Sequence, residues 1–293
     1  MKILITGSNG LLGQKLVTYL HKKGNDFLAT SKGKNRNPDC PKEKYYSLDI
    51  SVQSEITDLF DSYKPTHVIH TAAITNVDAC ELDPDLCYLV NVQATQFLVD
   101  ASISHKAHFQ LLSTDFIFDG LKGNYNEEDT PGPLSHYAHS KVNAEKILLN
   151  SDYLNWSIVR TIIVYGTGNN LSRTNVVCWA KDALSKGQEM RIIDDQFRAP
   201  TWADDLAWAC VRICTLKKTG IFHISGPETM SIYEIVERVA RHFSLSTNSL
   251  VRTDSSTLKQ PAKRPPRTGF DLSKSKKELG YHPMTLEETL PFI

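Results

Sequence analysis

Long hydrophobic runs are missing from this sequence. No apolar stretch in its 293 residues approaches the roughly 18 that a bilayer-crossing helix needs. Excess charge is missing too: 33 Lys and Arg balance 33 Asp and Glu, so nothing favours nucleic acid or an anionic membrane as a partner. There is no Cys-x-x-Cys pair, and the ten histidines form no His-Glu-x-x-His pattern, so no metal is expected. Six cysteines (Cys40, Cys80, Cys87, Cys178, Cys210, Cys214) are scattered along the chain. Without a secretion signal they read as free thiols in a reducing compartment. Cys210 and Cys214, one helical turn apart, read as packing, with a redox or metal pair as the alternative. The opening MKILITG is broken by glycine too early for a signal peptide, which leaves the cytoplasm as the expected address.

What is present is alternation. Apolar runs at 2–6, 26–30, 44–50, 67–73, 108–114 and 156–166 read as strands, and they are separated by amphipathic stretches. The stretch 11–24 reads as a helix ended by Gly24, 53–62 as another, 83–105 as one long helix opened by Asp-Pro, and 135–150 as a further one. Strand, helix, strand in this order calls for an α/β doubly wound parallel sheet, a Rossmann-type fold whose ligands sit beyond the carboxyl ends of the strands. After residue 166 the pattern loosens. A helix is expected within 169–187, a short strand, a loop and another helix within 190–216, a strand at 220–226, and a helix at 231–244 with Ser231 and Glu234 as a capping box. A basic, proline-rich run begins at residue 259 and leads into a last helix. The expected division is a dinucleotide-binding domain over 1–165 and a smaller substrate lobe over 166–293, its chain crossing back to the first.

The turn GSNGLLG places Gly7, Gly10 and Gly13 between the first strand and the first helix. Such a turn lets a pyrophosphate approach bare backbone at a helix N-terminus. Asn9, Leu11 and Leu12 belong to the same turn. An NAD-selective site places an acid about 20 residues on, at the end of the second strand. Here Ser31, Lys32, Gly33 and Lys34 stand there, with no acid until Asp39. Serine and lysine attract a 2′-phosphate, so the expected cofactor is NADP(H), with NAD as the alternative. Lys32, Lys34 and Arg36 as a plain solvated loop is the competing reading. Asp49 and Ile50 end the third strand, where the adenine is expected. Ala72 and Ala73 follow the fourth strand.

Three elements are expected to converge. Ser113 and Thr114 end the fifth strand, and Tyr137 and Lys141 lie one turn apart on the next helix, in SHYAHSK. A phenol is a reluctant acid–base group at neutral pH. A neighbouring ammonium and an oxidised nicotinamide bring its pKa toward working range. A surface pair with no task is the alternative. His136 and His139 flank the tyrosine and are expected to face outward or toward cofactor.

With its Gly-x-x-Gly-x-x-Gly turn, Tyr-x-x-x-Lys pair and upstream hydroxyl, the chain resembles the extended short-chain dehydrogenases/reductases. TAAITNVDACE, VNVQAT, STDFIFDG, RTIIVYG, IIDDQFRAPTWADDLA and GIFHISG are similar, in order, to sequence blocks of the dTDP-4-dehydrorhamnose reductase family. RPPRTGFDLSK is similar to that family's closing motif. The resemblance covers essentially the whole chain. It implies NADPH-dependent reduction of a nucleotide-linked 4-keto-6-deoxy sugar, the reductase step that yields dTDP-L-rhamnose. It further implies Tyr137 as proton donor, Lys141 on the nicotinamide ribose, Thr114 on the substrate carbonyl and Ala72 and Ala73 along the cofactor groove. Asn91 is implied to face the site, with a helix-surface amide as the alternative, and Asp115 to lie beside the substrate. Arg173 and Arg198 are candidates for a pyrophosphate or sugar, or for structural ion pairs.

Three positions depart from that family's pattern. Ile163 stands where tryptophan is usual, Arg198 where glycine is usual, and Phe116 where tyrosine is usual. They bear on which sugar nucleotide is taken. Two other readings keep the fold. One is an NADP-binding regulatory subunit of the methionine adenosyltransferase beta type. The other is a sugar-nucleotide epimerase or dehydratase, although the glutamate that follows Thr-Asp in dehydratases is Phe116 here. A homodimer is an expectation the sequence does not decide.

Overall fold

The computed structural model describes residues 1–258 and 260–293; Lys259, the first residue of the proline-rich run, lies outside them. Seven parallel strands form the central sheet: β1 Lys2–Thr6, β2 Asp26–Ser31, β3 Tyr45–Ser47, β4 His67–His70, β5 His108–Thr114, β6 Trp156–Thr161 and β7 Gly220–Ile224. Their order is β7-β6-β5-β4-β1-β2-β3. The sequence therefore folds as the Rossmann-type doubly wound sheet that its alternation predicts. The order reverses between β1 and β4, whose register runs from Ile3 opposite His67 to Thr6 opposite His70. That reversal opens a crevice at the carboxyl ends of both strands.

Helix α1 (Leu11–Lys22) buries Gly13, Gln14, Leu16, Val17 and Leu20, the stripe its helical spacing predicts. Helices α2 (Gln53–Tyr63), α3 (Ala94–Ser104) and α4 (His136–Leu149) follow. Leu59, Phe60, Leu98, Val99, Ala144 and Leu148 pack on Val68, Phe109 and Ile158 of the sheet. A second apolar cluster joins helix Val176–Ser185 to helix Ile232–His242 through Val177, Ala180, Ile235, Val236 and Val239. Cys210 and Cys214 are buried in a third apolar cluster with Leu206 and Ile213, the packing reading of that pair.

Four expectations change. The single helix over 83–105 is three pieces: Pro84–Tyr88, a wider π-type turn at Leu89–Gln93, and α3. The cause is the buried Asn91 side chain, which bonds across to a loop and another helix instead of leaving the turn regular. The strand over 156–166 breaks at Ile162–Ile163, where Ile163 adopts φ 27°. Thr201 enforces the break: its N–H reaches the carbonyls of Ile162 and Ile163, and its hydroxyl bonds Ile162 O at 2.6 Å. Val164–Tyr165 then pairs with Thr201–Trp202 rather than with the central sheet. The strands expected at 44–50 and 67–73 shorten to β3 and β4, because the chain beyond them turns into the crevice. Finally, Ser231 caps its helix, but the Glu234 carboxylate bonds Arg238 instead of completing the capping box.

Candidate active site

The crevice at the β1/β4 reversal is a cleft of about 770 Å³, within the range typical of small-molecule sites. Its backbone end is the glycine turn. Gly7 has φ 73°, and a Cβ there would lie 2.6 Å from Ala72 N; a Cβ on Gly13 would lie 2.3 Å from Gly7 O. Both positions therefore require glycine. The N-terminus of α1 carries no side-chain cap and no acid in its first turn. Its free N–H groups and dipole suit a phosphate, so this end fits a dinucleotide. Gly7, Gly10, Leu11, Leu12 and Gly13 line the cleft there, with Ala72 and Ala73 opposite.

Asn9 does not line the cleft. It shapes the loop after β2: its Nδ2 donates to Lys34 O at 2.9 Å, and its Oδ1 accepts from Arg36 N–H at 2.8 Å. Ser31 and Lys32 do line the cleft, as do Asp49 and Ile50, whereas Lys34 and Arg36 are exposed outside it. The tertiary fold brings an acid where the local sequence shows none. Asp49 lies 2.7 Å from Lys32 Nζ, and this hydrogen bond, with that of Ser51, holds the carboxyl at about 2.

At the other end, Thr114, Asp115, Phe116, Tyr137 and Lys141 line the cleft together. Ser135 caps α4 by accepting from Ala138 N–H, which sets Tyr137 and Lys141 on the buried face in the first turns. Tyr137 is 8% exposed and Lys141 4%, so the surface-pair alternative does not hold. His136 and His139 point outward and do not line the cleft. Burial lowers Lys141 to about 8, opposed by Glu145. Burial also pushes the Tyr137 phenol above its ordinary value, with the Thr114 hydroxyl acting the other way. Desolvation, not the neighbouring ammonium, is the dominant influence on the phenol.

Besides Asn9, two further candidates are not at the cleft surface. Asn91 is 1% exposed. It accepts from Ile74 N–H at 2.8 Å and donates to Ile74 O and Ser140 Oγ, both at 3.0 Å. It therefore pins the loop after β4 to α4 and does not face the site. Arg198, also 1% exposed, turns its guanidinium to main-chain carbonyls and to Asp115. Arg173 does line the cleft, beside Ser172, Thr174 and Asn175.

Ile163, one of the three departures from the family pattern, enters the wall through its left-handed backbone. Thr75 from the loop after β4 and Leu86 and Val90 from the broken helical region line it without having carried any sequence signal. Ser113 lines the cleft with its hydroxyl unpartnered, a group available to a ligand atom.

A family model described as "RmlD substrate binding domain" matches residues 1–293. A dTDP-4-dehydrorhamnose reductase of Aggregatibacter actinomycetemcomitans is 31% identical over 100% of this chain and 98% of its own. A crystal structure of a dTDP-4-dehydrorhamnose reductase from Bacillus anthracis in complex with NADP superposes with TM-score 0.85 at 25% identity, covering 99% and 98% of the two chains. The methionine adenosyltransferase 2 subunit beta of Xenopus laevis is 29% identical over 85% of this chain and 74% of its own.

Proposed function

We propose that this chain, which belongs to the RmlD substrate binding domain family, is an NADPH-dependent reductase of a nucleotide-linked 4-keto-6-deoxy sugar, with dTDP-4-dehydrorhamnose as the first candidate substrate. The observation that carries the reading is the burial of Tyr137 and Lys141 with Thr114 on one wall of a cleft whose other end is a bare helix N-terminus. Bound NADPH would supply a hydride to the sugar carbonyl carbon. The glycine turn and α1 would hold its pyrophosphate, Ser31 and Lys32 its 2′-phosphate, and Lys141 its nicotinamide ribose.

Reduction of a ketone leaves an oxyanion that must gain a proton. Tyr137 is suited to that direction of reaction, because burial keeps the phenol protonated at neutral pH and therefore ready to donate. Lys141 supplies positive charge where negative charge develops. Residues 1–165 would hold the cofactor and 166–293 the sugar nucleotide; Arg173 and Asn175 reach the shared cleft from the second part.

A regulatory subunit without sugar chemistry is the second reading, favoured by the similarity to the methionine adenosyltransferase subunit. Incubation with NADPH and a panel of 4-keto-6-deoxy nucleotide sugars decides between them. Loss of NADPH absorbance with formation of the 4-hydroxy sugar is the expected result. Tight NADPH binding with no turnover on any panel member would support the subunit reading.

A further inference from the structure

Arg198 is a fully buried cation that the cleft does not use. It stands on the two-residue strand Phe197–Arg198, which pairs with Met230–Ser231. Nη1 donates to Phe197 O at 2.7 Å and Pro266 O at 3.4 Å, and Nη2 donates to Pro265 O at 2.7 Å. Nε lies 3.7 Å from Asp115 Oδ2, both side chains being almost wholly inaccessible. The guanidinium also stacks over the Phe116 ring at 5.3 Å, and Phe116 stands edge-on to Tyr137 at 6.1 Å. Two of the three positions that depart from the family pattern, 116 and 198, are thus in contact. One buried cation touches both residues that follow Thr114, and one of those backs Tyr137.

Asp115 has a second consequence. Its carboxylate accepts from the Thr114 hydroxyl at 3.1 Å and from the Thr268 hydroxyl, while Phe116 N–H donates to Thr114 Oγ1 at 3.2 Å. An ionised carboxylate can only accept, so the Thr114 hydroxyl directs its proton at Asp115 in this arrangement. A neutral Asp115 could donate instead, and the Thr114 hydroxyl would lose the fixed orientation that the carboxylate gives it. The charge of Asp115 therefore sets the direction of the catalytic hydroxyl. Burial pushes the Asp115 carboxyl above its ordinary range, and Arg198 on the strand behind it is the largest influence opposing that; Tyr137 on α4 is the other titratable group there, and Arg264 acts on Arg198. Thr268 adds only a neutral hydroxyl.

We infer that Arg198 is a positioning residue: it keeps Asp115 a carboxylate and Phe116 seated, and so fixes the hydrogen-bond direction of Thr114 and the ring of Tyr137. The inference rests on the reductase reading for its kinetic arm only. With Arg198→Met, kcat is expected to fall about tenfold or more while the NADPH dissociation constant stays unchanged. The acid limb of the kcat–pH profile should move toward neutrality as Asp115 takes up a proton. Arg198→Lys should restore part of both. In the Asp115→Asn background, adding Arg198→Met should bring no further pH shift.

The second arm needs no turnover. Carboxyl ¹³C NMR of the full chain, with Asp115→Asn supplying the assignment, should show Asp115 titrating at higher pH in Arg198→Met than in the parent. If the methionine variant does not fold, the same titration in Arg198→Lys serves, with a smaller upward move expected. An unmoved Asp115 titration would overturn the inference, and so would a pH shift that persists without the carboxylate. Absence of turnover in the parent enzyme would sink the reductase reading alone and leave the titration to decide Arg198.

Discussion

Asn91 Nδ2 donates to Ser140 Oγ at 3.0 Å, and Ser140 immediately precedes Lys141. The same side chain holds both main-chain polar groups of Ile74, in the loop leaving β4. One buried amide therefore ties the cofactor side of the cleft to the helix bearing the tyrosine and lysine. Asn91→Ala leaves the buried Ser140 hydroxyl and the two part-buried main-chain groups of Ile74 short of a partner and is expected to cost roughly 2–3 kcal/mol. Urea unfolding should show a lower midpoint. An unchanged midpoint would remove Asn91 from this role.

Tyr137→Phe removes only the phenolic hydroxyl, and the ring keeps its place against Phe116, Cys80 and Cys87. NADPH affinity by fluorescence titration should stay within about twofold, while turnover drops on the order of 10²–10⁴-fold. Full activity in this variant would exclude the phenol as proton donor.

Lys141→Met should make the protein more stable and inactive. The lysine falls from 10.5 to about 8 in the folded chain because of burial. Below pH 8 the fold must keep a desolvated cation that the unfolded chain hydrates freely, so stability is depressed there. Between about 8 and 10.5 the folded chain sheds a proton that the unfolded chain retains, and stability rises with pH. The methionine variant lacks that rise. Its gain should be on the order of 2–3 kcal/mol at pH 7 and vanish near pH 10.5. Thermal melts of both proteins across pH 6 to 10 check the sign. A gain that grows with pH would contradict it.

Asp49 sits on the cation expected to meet a 2′-phosphate. Asp49→Asn frees Lys32 and should tighten NADPH binding, roughly two- to fivefold, with little effect on NADH. Lys32→Ala should do the reverse, and both effects should weaken with added salt. Equal effects on the two cofactors would place the phosphate elsewhere.

The sheet and the glycine turn were legible because each rests on short-range rules. Alternating apolar runs separated by amphipathic helices leave few solutions other than a covered parallel sheet. Gly7 and Gly13 read from the sequence as a tight turn with bare backbone, and the structure adds that a side chain there would collide with Ala72 or with the turn itself. Tyr137 and Lys141 share a face because the helix repeats about every 3.6 residues. The role of Asn91 was not legible, and for Arg198 only the alternative of a structural ion pair was, its partners being unnamed; both depend on residues far along the chain, Ser140 for the first, and Asp115 and Pro265 for the second.

By itself the sequence determined a parallel α/β sheet with a phosphate-receptive turn and placed a phenol, an amine and a hydroxyl on the elements that meet at its open end, because pitch and spacing are local. Only the tertiary structure decided that the amine is desolvated, that the chain leaves the sheet at Ile163, and that a buried arginine stands behind Asp115. Ionisation and hydrogen-bond direction follow from what surrounds a group in space. For Asp115 those surroundings include Thr268, 153 residues away.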